Sequence, residues 1–333
     1  MHRHRVTALN ALASDRQPDR PGLGFDHRND VKEADGTGRN LLRTLVQAGS
    51  ALLANLNLKG FATGTIWTGK SKIACVPVLN CYSCPGAVGS CPIGALQAVA
   101  TDRKFNASFY VIGFLMLIGL GVGRLLCGWA CPFGWFQDLV HRIPVKKRPV
   151  TGQTGRVLGY GKYFILLVFV ILLPFALANE FGIGTPWFCK LVCPAGTLQA
   201  GLPLVAANPP LRETLGLLFD WKLLLLAITV AGSLFTLRPF CRFACPLGAI
   251  YSLFQRVSLY RIEVDKSACD RCGACQKACG LDLRPQEDPN HPDCIRCLAC
   301  VKACPKKALT AGFGNMAIHR GIPSSSVHGD HGS

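Results

Sequence analysis

Four apolar stretches set the first limit on how this chain can fold. Three of them approach the length of about 20 residues that a helix needs to cross a bilayer. They are Ala107–Leu126, Tyr160–Ala178 and Leu215–Leu237. The fourth, Leu41–Leu58, contains Arg43 and two asparagines, so it is either a span or an amphipathic helix in the membrane interface. The sequence therefore predicts an α-helical integral membrane protein with about four transmembrane helices.

The basic residues indicate how these helices are oriented. The formal net charge is +17, and lysine and arginine are concentrated in the 127–159 loop and after the last span. The 180–214 loop carries only Lys190 and Arg212. Because short cytoplasmic loops are rich in lysine and arginine, we expect the 127–159 loop and the C-terminal part to lie in the cytoplasm. No basic stripe interleaved with aromatic residues is present, so the charge does not indicate nucleic-acid binding.

The composition changes along the chain predict four regions. Residues 1–39 are polar and have no apolar signal-peptide core, so they are expected to be a disordered cytoplasmic N-terminus. Residues 40–260 form the membrane domain, and residues 261–312 form a small cysteine-rich domain. Residues 313–333, rich in His, Gly and Ser, are expected to be a disordered tail.

The most specific cysteine pattern lies between residues 269 and 304. It consists of two copies of C-x2-C-x2-C-x3-C, the run that binds [4Fe–4S] cubanes in two-cluster ferredoxins. In that pattern the fourth cysteine of each copy binds the other cluster. A zinc site is the alternative, but zinc needs only four ligands and would leave cysteines over. The segment thus predicts an α+β bacterial double-cubane ferredoxin domain, with one cluster on Cys269, Cys272, Cys275 and Cys304 and the other on Cys294, Cys297, Cys300 and Cys279.

A second pattern, C-x3-C-P-x-G, follows the apolar stretches. CGWACPFG supplies Cys127 and Cys131, and CRFACPLG supplies Cys241 and Cys245. The expected topology puts all four on one face, where they would hold a third [4Fe–4S] cluster. The proline is expected to end the helix and the glycine to let the backbone bend around the cluster. Packing cysteines and disulfides are the alternatives, and a reducing cytoplasm disfavours disulfides.

The remaining cysteines fall on the opposite face in this topology. They occur in CYSCPGAVGSCPIG and CKLVCPAG, with Cys75 nearby, and they are candidates for a fourth [4Fe–4S] cluster. There are more of them than one cluster needs, so the sequence does not fix the ligands. A disulfide or a reactive dithiol is the alternative. The candidate ligands are Cys81, Cys84, Cys91, Cys189 and Cys193.

The combination of CGWACPFG and CRFACPLG after apolar spans with a double-cubane segment resembles the membrane-bound 4Fe–4S polyferredoxins, including NapH-type quinol dehydrogenase subunits. The resemblance covers roughly residues 41–310. It implies a multi-pass protein of the bacterial cytoplasmic (inner) membrane with its ferredoxin domain in the cytoplasm. The extra motifs and Gly280, which stands where a proline usually follows the fourth cysteine, depart from the minimal pattern.

These features predict an electron-transfer subunit of an oxidoreductase system rather than a stand-alone enzyme. No CxxCH haem motif or dinucleotide-binding fingerprint is present. The expected partners are the lipid bilayer, a partner redox protein or respiratory complex, and a quinone, for which Asp220, Lys222 and Glu180 are the candidate proton-handling residues. The alternative function is a redox-linked assembly or regulatory factor for a respiratory metalloenzyme.

Overall fold

The computed structural model describes residues 37–101, 108–148, 150, 152–177, 184–213, 215–314 and 316–320. The expected disordered N-terminus lies almost wholly outside these residues, as does Glu180. The described residues from Gly38 onward form one compact unit, so the membrane part and the cysteine-rich part pack together. The helices of the first half are α1 (Thr37–Ala54), α2 (Leu58–Thr63), α3 (Pro92–Thr101), α4 (Ser108–Val122), α5 (Leu125–Trp129), α6 (Pro132–His141), α7 (Gly152–Ile165) and α8 (Leu173–Ala176).

The second half of the membrane part contains shorter helices and one long one. They are α9 (Trp187–Leu191), α10 (Pro194–Gly196), α11 (Leu202–Ala207), α12 (Pro209–Glu213), α13 (Leu217–Phe235), α14 (Pro239–Phe243) and α15 (Pro246–Phe254). The cysteine-rich part follows with β1 (Tyr260–Val264), α16 (Ala274–Lys277), α17 (Ala299–Ala303), β2 (Leu309–Phe313) and β3 (Met316–Arg320).

Two helices among the described residues are long and apolar enough to cross a membrane. They are Gln153–Ala176, which comprises most of α7 through α8, and α13. Only 17% and 11% of their most apolar windows are buried, so their side chains face outward rather than into a soluble core. The apolar helices Leu41–Ala54 and Phe109–Val122 are shorter. The mostly helical class is confirmed, whereas four transmembrane helices remain a prediction.

Prolines explain two π-helical segments. Leu166–Leu172 joins α7 to α8, and Thr197–Gly201 joins α10 to α11. Each segment ends shortly before a proline, Pro174 or Pro203. A proline inside a helix cannot donate to the carbonyl four residues earlier, and its ring collides with that carbonyl. The wider π-turns accommodate this local loss of hydrogen bonding.

Two helices beginning at cysteines fold back against the longer ones. The helix α3 packs on α4, on α8 and on the π-helical segment before α8. The segment from α10 through the second π-helical stretch packs on α13. One hydrophobic core consequently contains cysteines from every motif of the membrane part, with Phe133, Phe188 and Tyr251 fully buried among them.

The cysteine-rich part is built on an antiparallel sheet in the order β1-β2-β3. Tyr260 pairs with Phe313, and Val264 pairs with Leu309. The first residues of the expected disordered tail instead form β3, which pairs with β2 through a bulge at Ala311/Gly312. Composition alone did not predict β3, because it takes no account of the hydrogen bonds that a strand forms with a neighbour such as β2. The remainder of the tail lies outside the described residues.

Candidate iron–sulfur centres

The ferredoxin cysteines lie in two groups. Group A consists of Cys269, Cys272, Cys275 and Cys304, and these four residues line one cavity. Group B consists of Cys279, Cys294, Cys297 and Cys300, and these four line a second cavity. The structure thus brings together both ligand sets that the spacing predicts. Within group A, Cys272 is exposed, so this group reaches the protein surface.

Left-handed residues wrap the chain around each cavity. The residues before and after the second cysteine of each copy have positive φ, namely Arg271 (56°) and Gly273 (79°) in one and Arg296 (51°) and Leu298 (64°) in the other. Left-handed backbone costs a non-glycine residue about 1–2 kcal/mol. Leu298 is 3% exposed, so burial of its side chain offsets this cost. The turn also lets the Arg296 N–H donate to the Cys294 Sγ at 3.4 Å.

Group B lies against the membrane part. Leu237, two residues after the end of α13, forms part of the wall of its cavity. A Cβ on Gly280 would lie 2.8 Å from the Leu237 side chain, which gives a packing reason for the missing proline. Burial raises the pKa of the Cys294 thiol to about 12. This thiol is therefore protonated at neutral pH until a metal displaces the proton.

The two ferredoxin groups are neighbours. Cys275 of group A and Cys300 of group B belong to the same buried core. Their thiols are close enough to interact electrostatically. Groups A and B therefore lie next to each other in the same core.

The membrane cysteines Cys127, Cys131, Cys241 and Cys245 form group C. All four are buried, and their thiols interact electrostatically across the two motifs. The second cysteine of each motif is an N-cap residue. Cys131 and Cys245 precede α6 and α15, and each Sγ accepts the N–H of the motif's glycine at 3.4 Å.

This geometry corrects the expected role of the proline and the glycine. Pro132 and Pro246 begin the next helix at its first position instead of ending the previous one. The glycine leaves room for the arginine of the opposite motif: a Cβ on Gly134 would lie 2.9 Å from Arg238, and one on Gly248 would lie 3.2 Å from Arg124. A helix N-terminus also stabilises the negative charge of a thiolate.

Two buried arginines cross-link the halves of group C. Each lies three residues before the first cysteine of its motif. Arg124 donates to the Cys241 carbonyl at 2.8 Å, and Arg238 donates to the Cys127 carbonyl. Both side chains are at most 1% exposed. Two positive charges beside four thiols offset the negative charge that an iron–sulfur cluster would bring into this core.

Asp138 holds Arg238 in place. It accepts from Arg238 Nε at 2.7 Å and pairs with Arg43 at 2.7 Å. Burial raises the pKa of Asp138, but Arg238 and Arg43 outweigh burial, so the net pKa lies below the ordinary value. The carboxylate is therefore ionised.

A glutamine amide completes group C. Gln137 Nε2 donates to Cys241 Sγ at 3.1 Å and is fully buried. Burial raises the pKa of Cys241 to about 11, and the nearby Arg238 lowers it. The sequence interpretation missed Arg124, Arg238 and Gln137, although the repeats R-x2-C and C-P-x-G-x-x-Q could have indicated them.

Groups B and C meet through backbone. A Cβ on Gly128, beside Cys127, would lie 2.2 Å from the carbonyl oxygen of Ile295, beside Cys294. The neighbouring Trp129 donates from Nε1 to the Arg296 carbonyl at 3.0 Å. The membrane and ferredoxin motifs therefore touch at the residues adjacent to their cysteines.

The other predicted ligands divide into two sets. Cys81, Cys91, Cys189 and Cys193 come together and are called group D. Cys84 and Cys75 are buried, and the Cys84 thiol is close enough to Cys81 to interact with it electrostatically. The sequence analysis places these residues on the opposite face from group C, and in the structure Cys91 and Cys193 share one core with Cys127.

The spacing of the thiols suits clusters better than single metal ions. Among the described residues, no three His, Cys, Asp or Glu side chains converge tightly enough to hold one metal ion. Zinc would need four thiolates at about 2.3 Å from a common point. A cubane instead takes each thiolate on a different iron, and so accepts the wider spacing of sulfurs around a cavity.

Comparison with known proteins supports this chemistry. The 4Fe–4S binding domain family Fer4_5 matches residues 105–151, 163–205 and 221–263. The 4Fe–4S binding domain family Fer4 matches residues 290–310. Each Fer4_5 match contains one C-x3-C-P-x-G motif, whereas Cys81 and Cys91 lie outside all of the matches. No solved structure matches the chain significantly.

The curated relatives include ferredoxin-type proteins. An uncharacterised protein of Methanocaldococcus jannaschii is 29% identical over 66% of this chain and 76% of its own length. The methylamine utilization ferredoxin-type protein MauN of Paracoccus denitrificans is 29% identical over half of each chain. The regulatory protein NosR of Pseudomonas aeruginosa is 29% identical over 50% of this chain and 21% of its own length.

Proposed function

We propose that this chain, an iron–sulfur electron-transfer protein similar to the 4Fe–4S polyferredoxins, is a membrane-anchored relay carrying single electrons between a cytoplasmic redox partner and a second partner at the membrane. Groups A and B hold the ferredoxin clusters, and group C holds a third. When bound, such clusters supply one-electron transfer between neighbouring sites.

The observation that carries this proposal is the unbroken packing of groups A, B and C. Cys275 and Cys300 connect A to B within one core. Gly128 and Ile295 connect C to B by direct backbone contact. Such a series, exposed at one end through Cys272 and buried at the other, suits the entry of electrons from a docking protein.

Apolar side chains on the two long helices and on the shorter α4 support anchoring in a bilayer. Phe109, Leu167 and Leu224 are 80%, 59% and 51% exposed. Side chains of this kind need lipid or another apolar partner to cover them. The basic residues after the spans favour a multi-pass arrangement in the inner membrane, with the ferredoxin part in the cytoplasm.

The surrounding residues prepare group C for a charged cofactor. Burial excludes water, and the Arg124 and Arg238 guanidiniums compensate negative charge. The amide donors Gly134, Gly248 and Gln137 direct N–H groups at sulfur. Hydrogen bonds to the sulfurs and burial are two of the protein's means of setting a cluster's reduction potential.

Rapid-kinetic electron entry tests this function. A small reduced redox protein, which cannot reach the buried group C directly, is mixed with the anaerobically purified protein in detergent. Reduction of group C is followed by freeze-quench electron paramagnetic resonance (EPR). In C275S, which removes a ligand of group A, reduction of group C by the protein donor should slow at least tenfold. Reduction by dithionite should be unchanged.

The control is C84S, which changes a buried thiol outside groups A, B and C. Equal rates in C275S and the wild type would contradict an entry route through group A. Loss of the group C signal in C275S even with dithionite would instead show that the substitution disturbs the whole protein.

The alternative, a redox-linked assembly or regulatory factor, is favoured by one relative whose name is regulatory protein NosR. A partner that copurifies with the tagged chain separates the two functions. A metal-insertion or regulatory protein favours the alternative, and a catalytic redox subunit favours the relay. A quinone role draws little support from Lys222, since this lysine lies beside the thiols of group D.

A further inference from the structure

Group D is a second set of four thiols within the membrane part. A Cβ placed on Gly196 would lie 3.8 Å from Cys81 Sγ, 3.9 Å from Cys193 Sγ and 4.0 Å from Lys222 Nζ. The thiols of Cys91 and Cys189 interact electrostatically with these sulfurs. The four cysteines come from two distant segments of the chain, as those of group C do.

Group D repeats the construction of group C. Cys193 is the N-cap of α10, and its Sγ accepts the Gly196 N–H at 3.4 Å. Cys91 directly precedes α3, whose first residue is Pro92. Its carbonyl accepts the first hydrogen bond of that helix, from the Ala95 N–H at 3.0 Å. Both second cysteines therefore stand at helix N-termini, like Cys131 and Cys245.

The glutamine contact is also repeated. Gln97 lies six residues after Cys91 and donates to Cys189 Sγ at 3.3 Å. Gln137 lies six residues after Cys131 and donates to Cys241 Sγ. In both groups, the amide of one motif thus reaches the first cysteine of the partner motif.

The reciprocal contact identifies Cys81 as the remaining first cysteine. Gln199 lies six residues after Cys193, and its Oε1 accepts the Cys81 N–H at 2.8 Å. Gln97 likewise accepts the N–H of Phe188, the residue before Cys189, at 2.9 Å. Cys81 and Cys91 therefore correspond to the paired cysteines of the other motifs, with a longer loop between them.

The other two thiols have different surroundings. The Cys84 thiol donates to Oδ1 of Asn55, the residue directly after α1, at 3.4 Å, rather than to a group on α3 or α10. The backbone of Cys75 pairs with Ser90 in an isolated bridge. Neither residue has a glutamine or helix-cap contact of the kind shared by groups C and D.

Lysines supply positive charge to group D. Lys222, on α13, places its Nζ near the sulfurs of Cys81 and Cys193, around Gly196. Lys72 is 7% exposed, donates to the Tyr82 carbonyl and lies 4.0 Å from the centre of the Tyr82 ring. In group D these two lysines supply the positive charge that Arg124 and Arg238 supply in group C.

We propose that group D holds a fourth [4Fe–4S] cluster whose ligands are Cys81, Cys91, Cys189 and Cys193, and that Cys84 and Cys75 are not ligands. This site is a buried neighbour of group C. Tyr251 is fully buried, contacts the loop before Cys81 through a 3.1 Å hydrogen bond to the Pro77 carbonyl, and packs in the core that contains Cys91 and Cys131.

The consequence, which rests on the proposed function, is that the relay continues from group C to group D. The backbone N–H of Leu79 is close enough to Cys131 to lower the pKa of its thiol, and Cys81 follows two residues later. Two residues span at most about 7 Å. Group D also approaches the surface, because Cys81 is half-buried and Tyr82 is 49% exposed.

The test measures iron and acid-labile sulfide per chain in anaerobically purified protein, with EPR of the reduced clusters. The wild type should contain about 16 irons, and C91S and C193S should contain about 12. The matched control C84S should keep about 16. In C91S the EPR signals of groups A and B should persist, which shows that the rest of the protein has folded.

Two results would overturn the proposal. A wild-type content of about 12 irons would remove the fourth cluster, and this measurement needs no variant. If C84S lost four irons while C81S retained them, the ligand assignment would be wrong. Neither result affects electron entry through groups A, B and C, so this proposal and the relay fail separately.

Discussion

The contact between Gly128 and Ile295 makes a sharp prediction about the junction of groups B and C. In G128A the new Cβ would lie 2.2 Å from the Ile295 carbonyl oxygen. An ordinary C···O contact is about 3.3 Å or longer, so the two backbones must separate by about 1 Å. Forcing a methyl group into a well-packed contact costs about 1–3 kcal/mol. The obstacle is backbone, so rotation of a side chain cannot relieve it.

We expect G128A to keep all its iron but to slow electron transfer from group B to group C several-fold. Transfer is followed by freeze-quench EPR after mixing with a reduced donor protein, and stability by thermal loss of cluster absorbance. Gly121 is the matched control, because a Cβ there meets nothing within 4 Å. G121A should behave like the wild type. A milder variant, W129F, removes the 3.0 Å hydrogen bond to the Arg296 carbonyl together with part of the ring that packs on the ferredoxin core.

Two results would refute this reasoning. If G128A transferred electrons at the wild-type rate despite a measurable loss of stability, close backbone contact would not be what couples the groups. If G121A were slowed as much as G128A, the effect would reflect helix flexibility instead of the steric contact.

Two further predictions concern group C. D138N should lower the free energy of unfolding by about 3 kcal/mol at pH 7, since it leaves the Arg238 charge buried and unpaired. The folded-state pKa of Asp138 lies below the ordinary value, so its contribution is complete above about pH 4 and is lost as the pH falls through the lowered pKa. Thermal denaturation of both proteins from pH 7 to pH 3 should show the difference shrinking, and a constant difference would contradict the ion-pair account. Q137L should lower the reduction potential of group C by about 40 mV. The N–H···S bond that this variant loses is worth about 1 kcal/mol, and it stabilises the reduced cluster because the reduced cluster carries more negative charge. An EPR-monitored redox titration measures this, and Q199L, whose contact is with Cys81, should leave that potential unchanged.

The sequence predicted the ligand sets of groups A and B because local spacing determines them. Three cysteines two residues apart bring their sulfurs together with few alternatives. The binding of [4Fe–4S] clusters is confirmed by the family matches. The sequence could not show that Gly280 accommodates Leu237, since that contact joins two parts of the chain.

Topology was harder to predict because hydropathy reports only length and composition. It located the apolar helices but not the fold-back of α3 and α10, which brings Cys91 and Cys193 into the core with Cys127. Counting lysines and arginines in the loops assigns each loop to one of the two membrane faces. It cannot predict a helix such as α3, which starts at a buried cysteine and packs back along the spanning helices.

The position of Tyr251 gives a physical reason why one of the four motifs differs from the others. Three motifs read C-P-x-G-x-x-Q, but the motif of Cys245 has Tyr251 where the glutamine would be. This side chain lies in the core between groups C and D, where its ring fills apolar space and its hydroxyl reaches the Pro77 carbonyl at 3.1 Å. A glutamine side chain is shorter than tyrosine and carries more polar groups that need partners when buried. The substitution thus fixes the loop that leads to Cys81 and keeps the region between the two groups dry, as a relay extending through both would require.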